Sequence, residues 1–107
     1  MMDLSTIEYQ QVQTILASHL AGHEVRAIGS RVKGGSKPWS DLDIVIMTTP
    51  NRPYWLSQLH EAFEESDLPF TVDIMLWDQL SPVFRAIVEE QYRVIQQMEY
   101  TPKVGNT

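Results

Sequence analysis

Three stretches with helical spacing of apolar residues are interspersed with three short β-branched runs in a chain of 107 residues. That pattern predicts an α+β fold, a small sheet flanked by helices. The length suits one hydrophobic core and is too short for two. Residues 1–100 therefore read as a single domain and residues 101–107 as a frayed tail.

The first helix is announced by Ser5-Thr6-Ile7-Glu8, a capping box, and continued by Val12, Ile15, Leu16 and Leu20 at helical spacing, with Gly22 ending it. Residues 24–28 alternate Val25 and Ala27 with polar neighbours and close on Gly29, which predicts a short strand delivering the chain to a turn. Lys33 to Pro38 is loop chemistry, two glycines and a proline. Leu42 to Met47 is an apolar, β-branched run of the kind found in a strand covered on both faces, and it is the candidate central strand. Leu56, Leu59 and Phe63 predict a second long helix over 52–66, with Pro53 near its first turn.

A third strand is expected over 70–77, with Thr71, Asp73, Met75 and Trp77 on one face and Val72, Ile74 and Leu76 on the other. Ser81-Pro82 starts a last helix, whose stripe of Phe84, Ile87, Val88, Ile95 and Met98 carries it to about Tyr100. The expected order is helix, strand, strand, helix, strand, helix.

Composition narrows the function. A net charge of −6 disfavours binding to nucleic acid or anionic lipid, which depends on Lys and Arg neutralising phosphates. No run approaches the roughly 18 apolar residues of a membrane span, the first residues lack the pattern of a secretory signal, and cysteine is absent. A cytoplasmic protein is the expectation. Four of the eight basic residues, Arg26, Arg31, Lys33 and Lys37, bracket the turn at Gly29-Ser30, so a small anion could be drawn there.

Ser40-Asp41-Leu42-Asp43 runs straight into the apolar strand. Side chains alternate along a strand, so Asp41 and Asp43 point the same way and repel each other. A hard divalent cation removes that repulsion, and Mg²⁺ is typically held by one or two carboxylates plus substrate phosphates. Asp73 joins them if the strand at 70–77 lies beside the strand at 42–47 in the right register. Three such carboxylates suit a two-metal phosphoryl-transfer centre, with Asp73 near the attacking hydroxyl. Gly29 lets backbone N–H groups approach an anion, and Ser30 adds a hydroxyl donor. Each of these signals also has a plain reading as a strand-flanking aspartate or a strand-ending turn.

Together, Gly29-Ser30-Arg31-Val32-Lys33-Gly34, Ser40-Asp41-Leu42-Asp43-Ile44 and Val72-Asp73-Ile74 resemble the three-part signature of nucleotidyltransferases of the DNA polymerase β superfamily, in particular the minimal nucleotidyltransferases. The resemblance spans roughly residues 25–76. It implies a small mixed sheet equivalent to the polymerase palm, an ATP donor, and Mg²⁺, as two ions, on Asp41, Asp43 and Asp73. It also implies Gly29 and Ser30 on the triphosphate, and Arg31 matches the arginine that follows Gly-Ser in many relatives. Ser40 belongs to the same motif, while Lys33 and Lys37 are added on electrostatic grounds.

Larger relatives add a domain that grips the acceptor, and this chain has no residues left over for one. The resemblance therefore implies an antitoxin whose partner is a helical HEPN toxin, silenced by transfer of AMP to one of its tyrosines. Two alternatives are an antitoxin that binds nucleotide and masks its partner by contact, and a nucleotidyltransferase of a small hydroxylated molecule, for which a homodimer is an option. His19, His23 and His60 share no metal-ligand spacing and are expected at the surface or at helix ends. Trp39 could anchor its own loop or stack on a base, Trp55 and Trp77 suit packing, and the acidic run Glu61, Glu64, Glu65 and Asp67 suits a solvated face. Tyr92 is expected on the last helix.

Overall fold

Ser5 caps the first helix, α1 (Thr6–His19): its side chain accepts the Glu8 N–H, and the Glu8 carboxylate accepts the Ser5 N–H in return. The computed structural model describes residues 2–99, so the expectations for Tyr100 and for the tail at 101–107 lie outside the described residues. After α1 come β1 (Val25–Ile28), a single helical turn α2 (Ser30–Lys33), β2 (Leu42–Ile46), α3 (Trp55–Glu64), β3 (Val72–Leu76), a 3₁₀ turn (Trp77–Gln79), α4 (Pro82–Glu90) and β4 (Arg93–Gln96).

The sheet order is β3-β2-β1-β4, so β2 is an interior strand as its apolar run predicts. β1 is antiparallel to both β2 and β4, whereas β2 and β3 are parallel and joined by α3 as the crossover. The sheet is mixed. Alternation divides it into two unlike faces. Val25, Ala27, Leu42, Ile44, Ile46 and Val72 pack with Val12 and Leu16 of α1 and with Leu59 and Phe63 of α3 in the main core. On the opposite face a smaller cluster gathers Ile28, Val45 and Val88 of α4, with Met75, Trp77 and Tyr92 around it.

The third strand, expected over 70–77, is trimmed to 72–76, with Trp77 opening the 3₁₀ turn, and two helix boundaries differ more widely. The helix expected over 52–66 starts only at Trp55, because Pro53 disfavours helical backbone at the residue before it and Tyr54 sits at φ 61. The last helix is also shorter: it stops at Glu90, and Gln91 is extended at φ −154. Residues 93–96 then form a strand that the helical stripe concealed. As a strand, Val94 and Ile95 close the outer edge of β1, and Ile95 reaches the main core. Gln96 completes the join by donating its side-chain N–H groups to the carbonyls of Leu20 (2.7 Å) and His23 (2.9 Å), where α1 ends.

Tyr92 falls between α4 and β4, and the Arg26 guanidinium stacks over its ring at 4.1 Å. Arg26 also pairs with Glu24 and with Glu89 of α4, which ties that helix to the sheet. The strand assignment at 93–96 makes a specific forecast for stability. Ile95→Ala should cost about 2–4 kcal/mol in urea denaturation, and Val94→Ala, at an exposed position, less than about 1 kcal/mol. A continuous helix to residue 100 would instead bury Phe84, Ile87 and Ile95 alike.

Candidate active site

The parallel pairing of β2 with β3 sets Asp43 directly opposite Asp73, between the pairs Leu42–Val72 and Ile44–Ile74. Both stand at positions that alternate with the core residues packed under α1 and α3, so they rise from the opposite face of the sheet. Asp41 stands two residues before Asp43, just ahead of β2, and is exposed. Burial first, then the negative charges of Asp73 and Asp41, push the Asp43 carboxyl above the usual carboxylate range. Asp73 and Asp41 are thus each within electrostatic reach of Asp43.

Gly29 is required here for two separate reasons. Its backbone, at φ 83 and ψ −159, lies in a region that essentially only glycine occupies, and a Cβ at this position would collide with the Asp43 carboxylate oxygen Oδ2. The turn and the strand are therefore in direct apposition. Past Gly29 the first bonds of α2 start from the N–H groups of Val32 and Lys33, both to the Gly29 carbonyl, which leaves the N–H groups of Ser30 and Arg31 ahead of the helical ladder. Gly29, Lys33, Asp43 and Asp73 line one depression of about 410 Å³.

Three other expected site residues have different tasks. Arg31, expected on the nucleotide, is buried and donates to the backbone carbonyls of Asp3, Lys37, Pro38 and Ser40. The Ser40 hydroxyl accepts the Lys37 N–H at 2.8 Å and so braces the same loop. Lys37 lines a separate depression with Asp3, Glu8 and Ser36, one that Asp43 does not line. The physical reason is local: a short loop of mostly polar residues needs partners for its own carbonyls before it can offer any to a ligand.

The carboxylate depression is also lined by Met75 of β3, by Phe84 and Ile87 of α4, and by Gln91 just past the helix. Phe84 and Ile87 belong to the expected apolar stripe, and they are 36% and 50% exposed. The signal for this lining was present in the spacing of α4, but periodicity reports that a face is apolar and not what it faces. Among the described residues no three carboxylate or imidazole side chains stand close enough to cage a cation by themselves. Asp43 and Asp73, neighbours in register, offer hard oxygen donors that suit Mg²⁺, an ion typically held by one or two carboxylates plus substrate phosphates. His23 donates to or accepts from Thr48 at 2.8 Å, and the acidic residues 61, 64, 65 and 67 are exposed, as expected.

A mixed sheet with carboxylates on adjacent parallel strands, beside a glycine turn pressed against one of them, defines a nucleotidyltransferase. The model of the nucleotidyltransferase domain family matches residues 10–104, and the chain belongs to that family. It is 42% identical over 101 residues to the "Probable protein adenylyltransferase MntA" of Haemophilus influenzae, covering 94% of this chain and 89% of the relative. Its fold matches a toxin-antitoxin solved with AMP-PNP (TM-score 0.67, 18% identity, 85% of this chain and 74% of that one). It also matches a mutant of the toxin-antitoxin MntA-HpeT (TM-score 0.65, 16% identity, 85% and 74%).

Two measurements follow from the geometry. Gly29→Ala should lose about 1–3 kcal/mol in urea denaturation, and Gly35→Ala, also at positive φ but facing open space, should lose less. The raised Asp43 carboxyl gives a pH dependence of definite sign. Above the ordinary value of 3.8 the unfolded chain gives up this proton while the folded chain retains it, so metal-free stability falls as pH rises from there through the raised value. Asp43→Asn should remove that fall and, without metal, be more stable than wild type at pH 7 by thermal melting.

Proposed function

We propose that this chain transfers AMP from ATP, with Mg²⁺, to a hydroxyl of a partner protein, a tyrosine of a helical HEPN-type toxin, and thereby acts as an antitoxin. The observation that carries the reading is the in-register pair Asp43 and Asp73, with Asp41 close enough to perturb Asp43. The name of the Haemophilus influenzae relative and the toxin-antitoxin context of the structural neighbours point the same way.

In this reading Asp41, Asp43 and Asp73 would hold one or two Mg²⁺ ions, which would supply charge neutralisation for phosphoryl transfer. The rest of the work belongs to the chain. Gly29 and Ser30 offer donors to the triphosphate, and Lys33, which lines the same depression as Gly29, adds a positive charge. Asp73 accepts the proton of the acceptor hydroxyl. The acceptor oxygen bonds to the α-phosphorus, the bond to the leaving pyrophosphate breaks, and the products are an AMP ester and pyrophosphate. Phe84, Ile87 and Met75 keep one wall apolar, which limits water as a competing acceptor.

The test uses ATP labelled at the α-phosphate, Mg²⁺ and the partner toxin co-purified with this chain. Label should enter the partner at a tyrosine, and Asp41→Ala or Asp73→Ala should reduce transfer by about 100-fold or more, in line with losing a group that stabilises developing charge. Both variants should also fail to neutralise the toxin. Full neutralisation by Asp41→Ala would instead establish masking by contact.

A further inference from the structure

We propose that Arg31 is a positioning residue, a buried strut that fixes where both carboxylate-bearing strands begin. The effect on the reaction rests on the nucleotidyl-transfer reading; the strut itself does not. Arg31 is only 3% exposed, and its guanidinium has no acidic partner among the described residues. A buried cation without a counter-ion is costly unless its donors are met. Here they are met by carbonyl dipoles: Nε to Ser40 (3.0 Å), one terminal nitrogen to Asp3 (2.6 Å), and the other to Ser40 (2.8 Å), Pro38 (3.1 Å) and Lys37 (3.3 Å).

Three of those carbonyls come from four consecutive residues, so the loop is curled around the guanidinium. Within the curl the Ser40 N–H returns to the Lys37 carbonyl at 3.0 Å, and Trp39 is turned outward at 71% exposure. The next residue is Asp41. One peptide further on, the Leu42 N–H enters the sheet by donating to the Thr71 carbonyl at 2.9 Å. The same guanidinium stacks on the Phe70 ring at 4.2 Å, immediately before Thr71 and three residues before Asp73. One side chain thus grips the entrance of β2 through Ser40 and the entrance of β3 through Phe70. Lysine cannot replace it, since an ammonium is a point donor and cannot span this set of carbonyls in a plane.

Arg31→Lys and Arg31→Gln, each made in the full chain, test the strut by amide hydrogen exchange. Exchange at residues 37–42 should speed up by about tenfold or more, the loss expected for one or more hydrogen bonds, while amides 44–46 in the sheet keep their protection. Phe70→Leu, which removes only the stack, should shift the same amides in the same direction by less. The consequence for the site is read from the Mg²⁺ concentration that half-supports binding of a non-hydrolysable ATP analogue. It should rise about 10–100-fold in Arg31→Lys, as for other groups that orient metal ligands, and Arg31→Lys should add nothing further in an Asp41→Asn background.

Unchanged exchange at 37–42 would overturn the strut. Accelerated exchange with fully additive effects in the Asp41→Asn background would overturn its action through Asp41. Failure of the wild-type chain to bind the analogue with Mg²⁺ would be a failure of the nucleotidyl-transfer reading, and hydrogen exchange would then decide the strut alone.

Discussion

The in-register, parallel pairing of β2 with β3 is the constraint on which the remaining structure depends. Leu42, Ile44 and Ile46 alternate with Asp43 and Val45, and Val72, Ile74 and Leu76 alternate with Asp73 and Met75. Burying the first set beneath α1 and α3 obliges the second set to face the other way. A slip of one residue in either strand would carry an aspartate into the main core, at a cost no contact there could offset. Packing therefore places the charges: the hydrophobic core sets the address of Asp43 and Asp73 without touching the chemistry.

Two elements then complete what the pairing starts. Gly29 brings the turn after β1 against the Asp43 carboxylate, an approach that any side chain would block. Helix α4 covers only part of the same face, with Val88 sealed against Val45 and Ile28 while Phe84 and Ile87 are left half-open beside the carboxylates. Burial first, and then the nearby charges of Asp73 and Asp41, make the ionised Asp43 carboxylate costly and raise its carboxyl. On the metal-binding reading proposed above, a cation would remove that cost, and the site would be less stable empty than filled, a common trade in places built for binding.

Much of this was legible in the sequence because it rests on short-range rules. The capping box at Ser5, the alternation of residues 42–46 and 72–76, and the pairing of Gly29-Ser30 with two downstream acidic strands all reduce to local period or local dihedral. What escaped was decided at a distance. Residues 93–96 carry apolar side chains that satisfy a helical stripe as well as a strand, and only the open edge of β1 selects the strand. Arg31 looked like a phosphate ligand because it follows Gly-Ser, yet the nearest unmet acceptors are the carbonyls of its own loop. Phe84 and Ile87 were correctly read as one apolar face of a helix, but the helix presents that face to the site.

The central claim is that β2 and β3 together hold one cation site. It is tested most directly by titrating paramagnetic Mn²⁺ into the isotopically labelled protein and following the amide resonances. Residues 41–43 and 72–74 should broaden together, at one common midpoint, and well before the acidic surface at 61–67, on the end of α3 and just past it. Broadening confined to one strand, or spread evenly over the acidic surface, would contradict the account.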